Sequence, residues 1–243
     1  QTLDADLGDA DVIEEHCEAL QQAIRAAEVP HDLRNEITQA ITEHLPSATL
    51  FVVRSSSNAE DLAGFSAAGL YHSVVGVPTA DDAVEAVKEV WASTVSARAV
   101  QLRHSAGITL SQCFMSAIIQ EQVRADVGGV LVTCDPLAPR DFRTVSVNAA
   151  PRSTTEVVSG RTSPIHYLCN TVEGGSRTVS LGSSATDLGT ATKAAIRRLA
   201  LISRLMQAHF APAGNPAEPV DIEWAVEGGR IHLLQVRPFP VAD

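Results

Sequence analysis

Two strand-like runs, Val220–Val226 and Ile231–Val236, flank Gly228-Gly229, and this pair constrains the fold more than any other stretch. Asp221 and Glu223 stand two apart, so in a strand both carboxylates point to one face. Gln235 and Arg237 repeat that spacing on the returning run. A three-residue loop, Gly228–Arg230, sets Glu223 opposite Gln235 and Asp221 opposite Arg237, and gathers all four polar groups on one surface. A two-residue Gly-Gly loop sets Glu223 opposite Leu234 and splits the cluster, because a one-residue slip moves every side chain to the other face. Gathered, the four groups suit Mg²⁺ and polyphosphate: carboxylates are hard oxygen ligands, and a guanidinium neutralises phosphate oxygens bidentately. Spacing alone leaves a second reading open, a solvated hairpin face with cross-strand polar pairs.

The rest of the chain changes character part-way. Asp11–Glu28 has the spacing of an amphipathic helix, through Val12, Ile13, Cys17, Leu20, Ile24 and Ala27. Pro30 interrupts it, and Asp32 is expected to cap a second helix carrying Leu33, Ile37, Ile41 and Leu45. Thr49–Val53 reads as a strand ending at Arg54, followed by a long loop to Gly69. Leu70–Val77 reads as a strand, and Asp81 or Asp82 is expected to cap one long helix to about Arg103. From there β-rich runs dominate: Phe114–Val123, Gly129–Cys134, Phe142–Val147, Ile165–Cys169 and Thr178–Leu181. Asp187–Phe210 is a helix with Ile196, Leu199, Ile202, Leu205 and Met206 on one stripe. A mainly antiparallel sheet with segregated helices gives the fold class α+β.

Composition excludes several roles. Of 243 residues, 29 are acidic and 18 basic, a net charge of −11, which argues against a generic nucleic-acid surface. No apolar run approaches the length that spans a bilayer, so no membrane partner is expected. Cys17, Cys113, Cys134 and Cys169 lack the short spacings of zinc or redox motifs, and the expectation is a reduced, cytoplasmic protein with small buried thiols. None of the 8 histidines has catalytic neighbours in sequence, and none is assigned as a phosphocarrier. Trp91 and Trp224 are read as core or lobe-packing residues rather than base-stacking platforms.

The segment from Arg54 is the least ordinary. One cation at a strand end precedes three hydroxyl residues and a run of small ones, a composition suited to phosphate but equally to a Ser-rich surface turn. Arg54-Ser-Ser-Ser-Asn-Ala-Glu-Asp-Leu-Ala-Gly resembles the R-S-S-x-x-x-E-D-L-x-G signature of the pyruvate phosphate dikinase and phosphoenolpyruvate synthase nucleotide-binding domain, which rifampin phosphotransferases and the plant glucan water dikinases share. Ser57-Asn58 and Ser66-Ala-Ala-Gly-Leu-Tyr are nearest in wording to the glucan and phosphoglucan dikinases. Further resemblances follow in family order: Val90-Trp-Ala-Ser with Ala97-Arg-Ala, Ala117-Ile-Ile-Gln-Glu-Gln-Val, Ala125 to Pro136, Asp221-Ile-Glu-Trp, and Leu234-Gln-Val-Arg-Pro.

The resemblance implies an ATP-grasp fold with ATP between two α+β lobes. It implies that Glu223, Asp221 and Gln235 hold Mg²⁺ and that Arg237 and Gln235 meet phosphate. Arg54 and Ser55, with the loop from Asp61 through Gly64 to Gly69, would bind the phosphates, and Gln120, Glu121 and Val123 would read adenine on the inter-lobe strand. Arg54 and Arg237 would be the catalytic cations. The expected organisation is a helical segment over 1–48, a phosphate-binding loop and long helix over 49–116, and a C-terminal lobe over 117–243. The implied reaction is dikinase-type phosphotransfer, ATP to AMP plus phosphate, with the β-phosphoryl passing to a histidine on a separate swivelling domain or chain. Two departures qualify it. Arg152-Ser-Thr-Thr stands where the family has Gly-Leu-Gly-Glu before Val157-Val-Ser-Gly, and nothing before Arg54 resembles the family's lysine-bearing "GGKxxxL" segment. These give the expectation of an incomplete first lobe, with the lysine on a missing segment or subunit. They also keep two alternatives: a non-catalytic nucleotide-binding subunit, or one chain of a split enzyme.

Overall fold

The computed structural model describes residues 10–59, 61–62, 65–66, 69–138, 140–152, 163–184, 186–211 and 218–239. The chain separates into two compact units, residues 1–122 and 123–243.

The first unit packs helices on a small antiparallel sheet. Helices α1 (Ala10–Ala26) and α2 (His31–His44) come first, then strand β1 (Phe51–Ser57), the short pair β2 (Asp61–Leu62) and β3 (Phe65–Ser66), and β4 (Val74–Val77). Helices α3 (Ala80–Ser93) and α4 (Ala97–Ser105) follow, and β5 (Met115–Glu121) closes the unit. The sheet order is β4-β1-β5. Phe51, Val53 and Val77 meet Ala83, Ala86, Val87 and Val90 of α3 in one core, with Ile41 of α2. Trp91 packs against its edge. Ion pairs fasten the outer helices: Arg25 to Glu89 at 2.8 Å, and Arg34 to Asp81 at 3.3 Å and to Glu85.

Several expectations are corrected here. Asp32 does not cap α2; Pro30 occupies that position without a side-chain cap, and Asp32 lies in the first turn. Thr79, not Asp81 or Asp82, caps α3, accepting from the Asp82 N–H at 3.1 Å. The single long helix is two, because Ser96 takes extended backbone and caps α4 by accepting from the Ala99 N–H. Strand β1 does not stop at Arg54. It runs through Ser57 because β5 offers a ladder partner at every position, from Phe51↔Glu121 to Ser57↔Met115.

The second unit is a six-stranded antiparallel sheet with one long helix. Its strands are β6 (Val127–Val132), β7 (Thr144–Pro151), β8 (Ile165–Asn170), β9 (Ser176–Ser180), β10 (Val220–Glu227) and β11 (Arg230–Pro238), and its helix is α5 (Thr190–Phe210). The order is β11-β10-β6-β7-β8-β9. On one face Leu131, Val147, Ile165, Tyr167, Ile222 and Trp224 pack with Ala195, Ile196 and Leu199 of α5. The helix buries Ile196, Leu199, Ser203 and Gln207, positions that follow the 3.6-residue period, while Leu205 is exposed, contrary to the expected stripe. Gly129 lets β6 and β7 approach closely: a Cβ there would sit 1.9 Å from the Asn148 carbonyl oxygen. Among the described residues no helix is long and apolar enough to cross a membrane.

Candidate functional site

The closing hairpin resolves the question of loop length by combining both answers. Its turn has two residues, with Glu227 opposite Arg230 and both glycines left-handed, Gly228 at φ 55° and Gly229 at φ 81°. Two positive φ values in succession are what a tight hairpin turn of this hand needs, and glycine takes them without a Cβ penalty. Asp126 holds the turn, accepting from the Gly228 N–H at 2.7 Å. The pairing runs regularly to Trp224↔Leu233 and then shifts, so that Glu223 pairs with Gln235 and Asp221 with Arg237. Leu234 is the extra residue of a β-bulge, the device by which strands re-aim side chains. The turn alone would have split the cluster; the bulge gathers it.

The gathered face is opposite the α5 core. Val220, Ile222, Trp224 and Val226 belong to that core, so Asp221 and Glu223 point the other way. Both are buried, at 6% and 5% exposure. Arg237 donates from Nε to Asp221 Oδ2 at 2.8 Å, with Nη2 at 2.7 Å from the same oxygen. This partly buried pair fixes the arginine beside the carboxylates. Register carries the face further across the sheet: Gln235, Glu223, Val130, Asn148 and His166 are successive partners in one row. Ser146 lies two residues from Asn148 and its Oγ is 2.8 Å from His166 Nε2. Burial is the main cause holding the His166 imidazole below its ordinary pKa, so it favours the neutral ring. Sequence reasoning missed Asn148, Ser146 and His166 as members of this face; the alternation of polar Ser146 and Asn148 with apolar Val145 and Val147 was the available signal.

In the first unit, strand alternation sorts the candidates. Arg54 pairs with Ile118, Val52 with Gln120, and Ser56 with Ser116, which puts Arg54, Gln120 and Ser56 on one face of the sheet. Ser55 pairs with Ala117, one of the residues packed toward the core, and falls on the opposite face from Arg54. Of the three serines that follow Arg54, Ser56 is the one on its side of the sheet. Glu121 ends β5 and is exposed, and Val123, half-buried, follows the last residue of the unit. The backbone of Asp61 pairs with Ser66. Gly64 lies outside the described residues, as do Val157 to Gly160 of the motif that follows Arg152-Ser-Thr-Thr. Gly69 is exposed. Arg152 itself has φ 63°, alone among non-glycine residues described, and its N–H donates to the Asp126 carbonyl at 2.9 Å.

The donor set on the β10–β11 face suits a hard divalent cation. It offers two carboxylates and one amide oxygen, and Mg²⁺ commonly takes one or two carboxylates and completes its shell with phosphate and water. Among the described residues no group of three His, Cys, Asp or Glu side chains stands where it could hold a metal, and the amide beside these carboxylates is that of Gln235, the ladder partner of Glu223.

Residues 1–243 match the family model described as "Pyruvate phosphate dikinase, AMP/ATP-binding domain". The chain belongs to this family. It is 28% identical over 266 residues to phosphoenolpyruvate synthase of Pyrococcus furiosus, an alignment covering 96% of this chain and 32% of that protein. Its identity to rifampicin phosphotransferase of Bacillus subtilis is 27% over 257 residues, covering 97% of this chain and 29% of the relative. A probable phosphoenolpyruvate synthase of Methanocaldococcus jannaschii is 27% identical over 258 residues, 96% of this chain and 21% of the relative. The chain therefore spans about a third or less of the length of these curated relatives. The family makes this a nucleotide-binding domain of the dikinase type, and the mixture of helices with antiparallel sheet agrees with an α+β fold.

Proposed function

We propose that this chain is the ATP-binding part of a dikinase-type phosphotransferase with an ATP-grasp fold, and that it presents the β-phosphoryl group of ATP to a histidine on a separate domain or chain. The observation that carries the reading is the pairing of Glu223 with Gln235 and of Asp221 with Arg237 on one sheet face. Glu223 and Gln235 would hold Mg²⁺, with Asp221 behind them, and the ion would supply charge neutralisation at the phosphates. Arg237, kept in place by Asp221, stabilises negative charge on the transferring group. Arg54 supplies a second phosphate contact, assisted by Ser56 rather than Ser55, and by the segment from Asp61 through Gly64 to Gly69. Gln120, Glu121 and Val123 read the adenine. Little covalent chemistry falls to this chain; positioning and charge neutralisation carry the catalysis.

Titration calorimetry with ATP, with and without Mg²⁺, tests the reading. Glu223→Ala and Arg237→Ala should each weaken Mg·ATP binding by about a hundredfold, in line with the loss of a buried, charge-assisted contact. Unchanged affinity in both variants would overturn it. A second reading has its own observation: Arg152, a non-glycine residue in left-handed backbone, begins the turn that departs from the family's wording. It makes the chain a nucleotide-binding subunit without phosphoryl transfer. ATP binding with no AMP release, when a histidine-bearing domain of a relative is supplied, favours this second reading; AMP release favours the first. The lysine expected on a further first-lobe segment or subunit would be identified by mass spectrometry of the native complex.

A further inference from the structure

Helix α5 stands apart from the rest of the chain in its charge. Its 21 residues include Lys193, Arg197, Arg198 and Arg204 and no acidic residue, in a sequence with 29 acids and 18 bases. The two units differ in the same sense. Residues 1–122 hold 18 acidic and 6 basic residues, whereas residues 123–243 hold 11 and 12.

The outward face of α5 is apolar between its cations. Leu201 and Leu205 are 56% and 67% exposed, one turn apart. At the helical period Arg197 falls on one border of this leucine stripe and Arg198 on the other, and both are exposed. Arg204 belongs to another side of the helix; it donates to the Thr133 carbonyl at 2.6 Å and the Thr144 carbonyl at 3.2 Å. An exposed apolar stripe bordered by guanidinium groups has the makeup of an interface: an apolar centre within a charged rim.

Helix α1 carries the complementary pattern. Its Ile13 and Cys17 face inward, and Glu14, Glu15 and Glu18 are exposed. Exposed Ala19 and Ala23 follow Glu15 at intervals of four, as Leu201 and Leu205 follow Arg197 on α5. With the leucines seated on these alanines, each large side chain meets a small one and the helices come close. A guanidinium group then meets the carboxylates of Glu15 and Glu18 in either helix direction, because arginine stands on both borders of the leucine stripe.

We propose that the outward face of α5 is a docking surface for α1 of a second copy of this chain. Charge complementarity selects the occupant: α5 is wholly basic among its charged residues, and the exposed charges of α1 from Glu14 to Glu18 are acidic. The contact joins two different surfaces, so copies add head to tail until a rotation closes a ring.

Sedimentation velocity of the full chain over a concentration series tests this, with association that grows with concentration as the expected result. Leu201→Ser/Leu205→Ser and Arg197→Glu/Arg198→Glu, each checked for native circular dichroism, should weaken association at least about tenfold. Glu15→Arg/Glu18→Arg should weaken it as much, although this change reduces the net negative charge that holds copies apart. An equimolar mixture of the two charge-reversed chains should associate again, because it offers one native α1 and one native α5 on different molecules. A chain that stays monomeric at its highest soluble concentration overturns the proposal. So does association that the charge-reversed chains retain, or a mixture that restores none. A monomeric chain whose α5 variants lose affinity for a supplied histidine-bearing domain of a relative gives the face to that partner instead, and equally overturns it. The readout needs no nucleotide, so it stands or falls separately from the function proposed above.

Discussion

The two sheets place polar side chains by different means. In the first unit the β1–β5 ladder is regular over seven pairs, and simple alternation fixes which residues accompany Arg54. In the second unit the β10–β11 ladder changes register between Glu223 and Trp224, and alternation counted from the turn gives the wrong face. A regular ladder sorts residues by parity alone. A bulged one can gather groups that the turn would have separated, and here it gathers two carboxylates, an amide and a guanidinium.

The largest test of this difference is the buried pair in the bulged ladder. Asp221→Ala removes one partner of a mostly buried ion pair with Arg237 and should cost about 4 kcal/mol in urea unfolding. A loss no greater than that of an exposed pair would remove the energetic distinction between the two ladders. Gly129→Ala should cost roughly 3 kcal/mol by the same measurement, since the new methyl group meets backbone rather than a movable side chain. In the first unit the effects are smaller. Thr79→Ala should cost about 1 kcal/mol through the lost cap of α3. Arg25→Ala should cost about 0.5 kcal/mol or less, its pair with Glu89 being 42% exposed on both sides.

A pH experiment separates the units without mutating either core. Lys193 and then Tyr167 hold the Asp187 carboxyl down at about 2. A depressed carboxylate stabilises the fold fully above its unfolded pKa of about 4 and loses that contribution as pH falls toward 2. The melting temperature should therefore drop over that window in the native chain and change less there in Asp187→Asn. Equal slopes would show that the contact with Lys193 is not maintained in solution.

Much of this was legible in the sequence, for identifiable reasons. The α5 helix, the closing hairpin and the strands around Val130 and Ile165 announce themselves by period and by turn residues. The cap of α3 was missed because two aspartates follow Thr79 and compete for the role on composition. The extension of β1 through Ser57 was missed because hydroxyl residues read as loop until a partner strand is known, and β5 lies more than fifty residues further on. The polar cluster on β10 and β11 was legible as a set of residues. Its register was not, because nothing in Leu233-Leu234 distinguishes a bulge from a regular pair. Ser55 and Ser56 show the same limit: both are serines beside Arg54, and only the ladder decides which shares its face.

The distribution of indole rings gives the molecule a convenient optical property. The chain has 2 tryptophans, Trp91 against the core of the first unit and Trp224 fully buried in the second. Each unit thus carries its own intrinsic fluorophore. In Trp91→Phe the remaining emission reports the second unit alone, in Trp224→Phe the first. Two unfolding curves recorded this way would tell whether the chain melts as one cooperative body or in two steps, with no label attached.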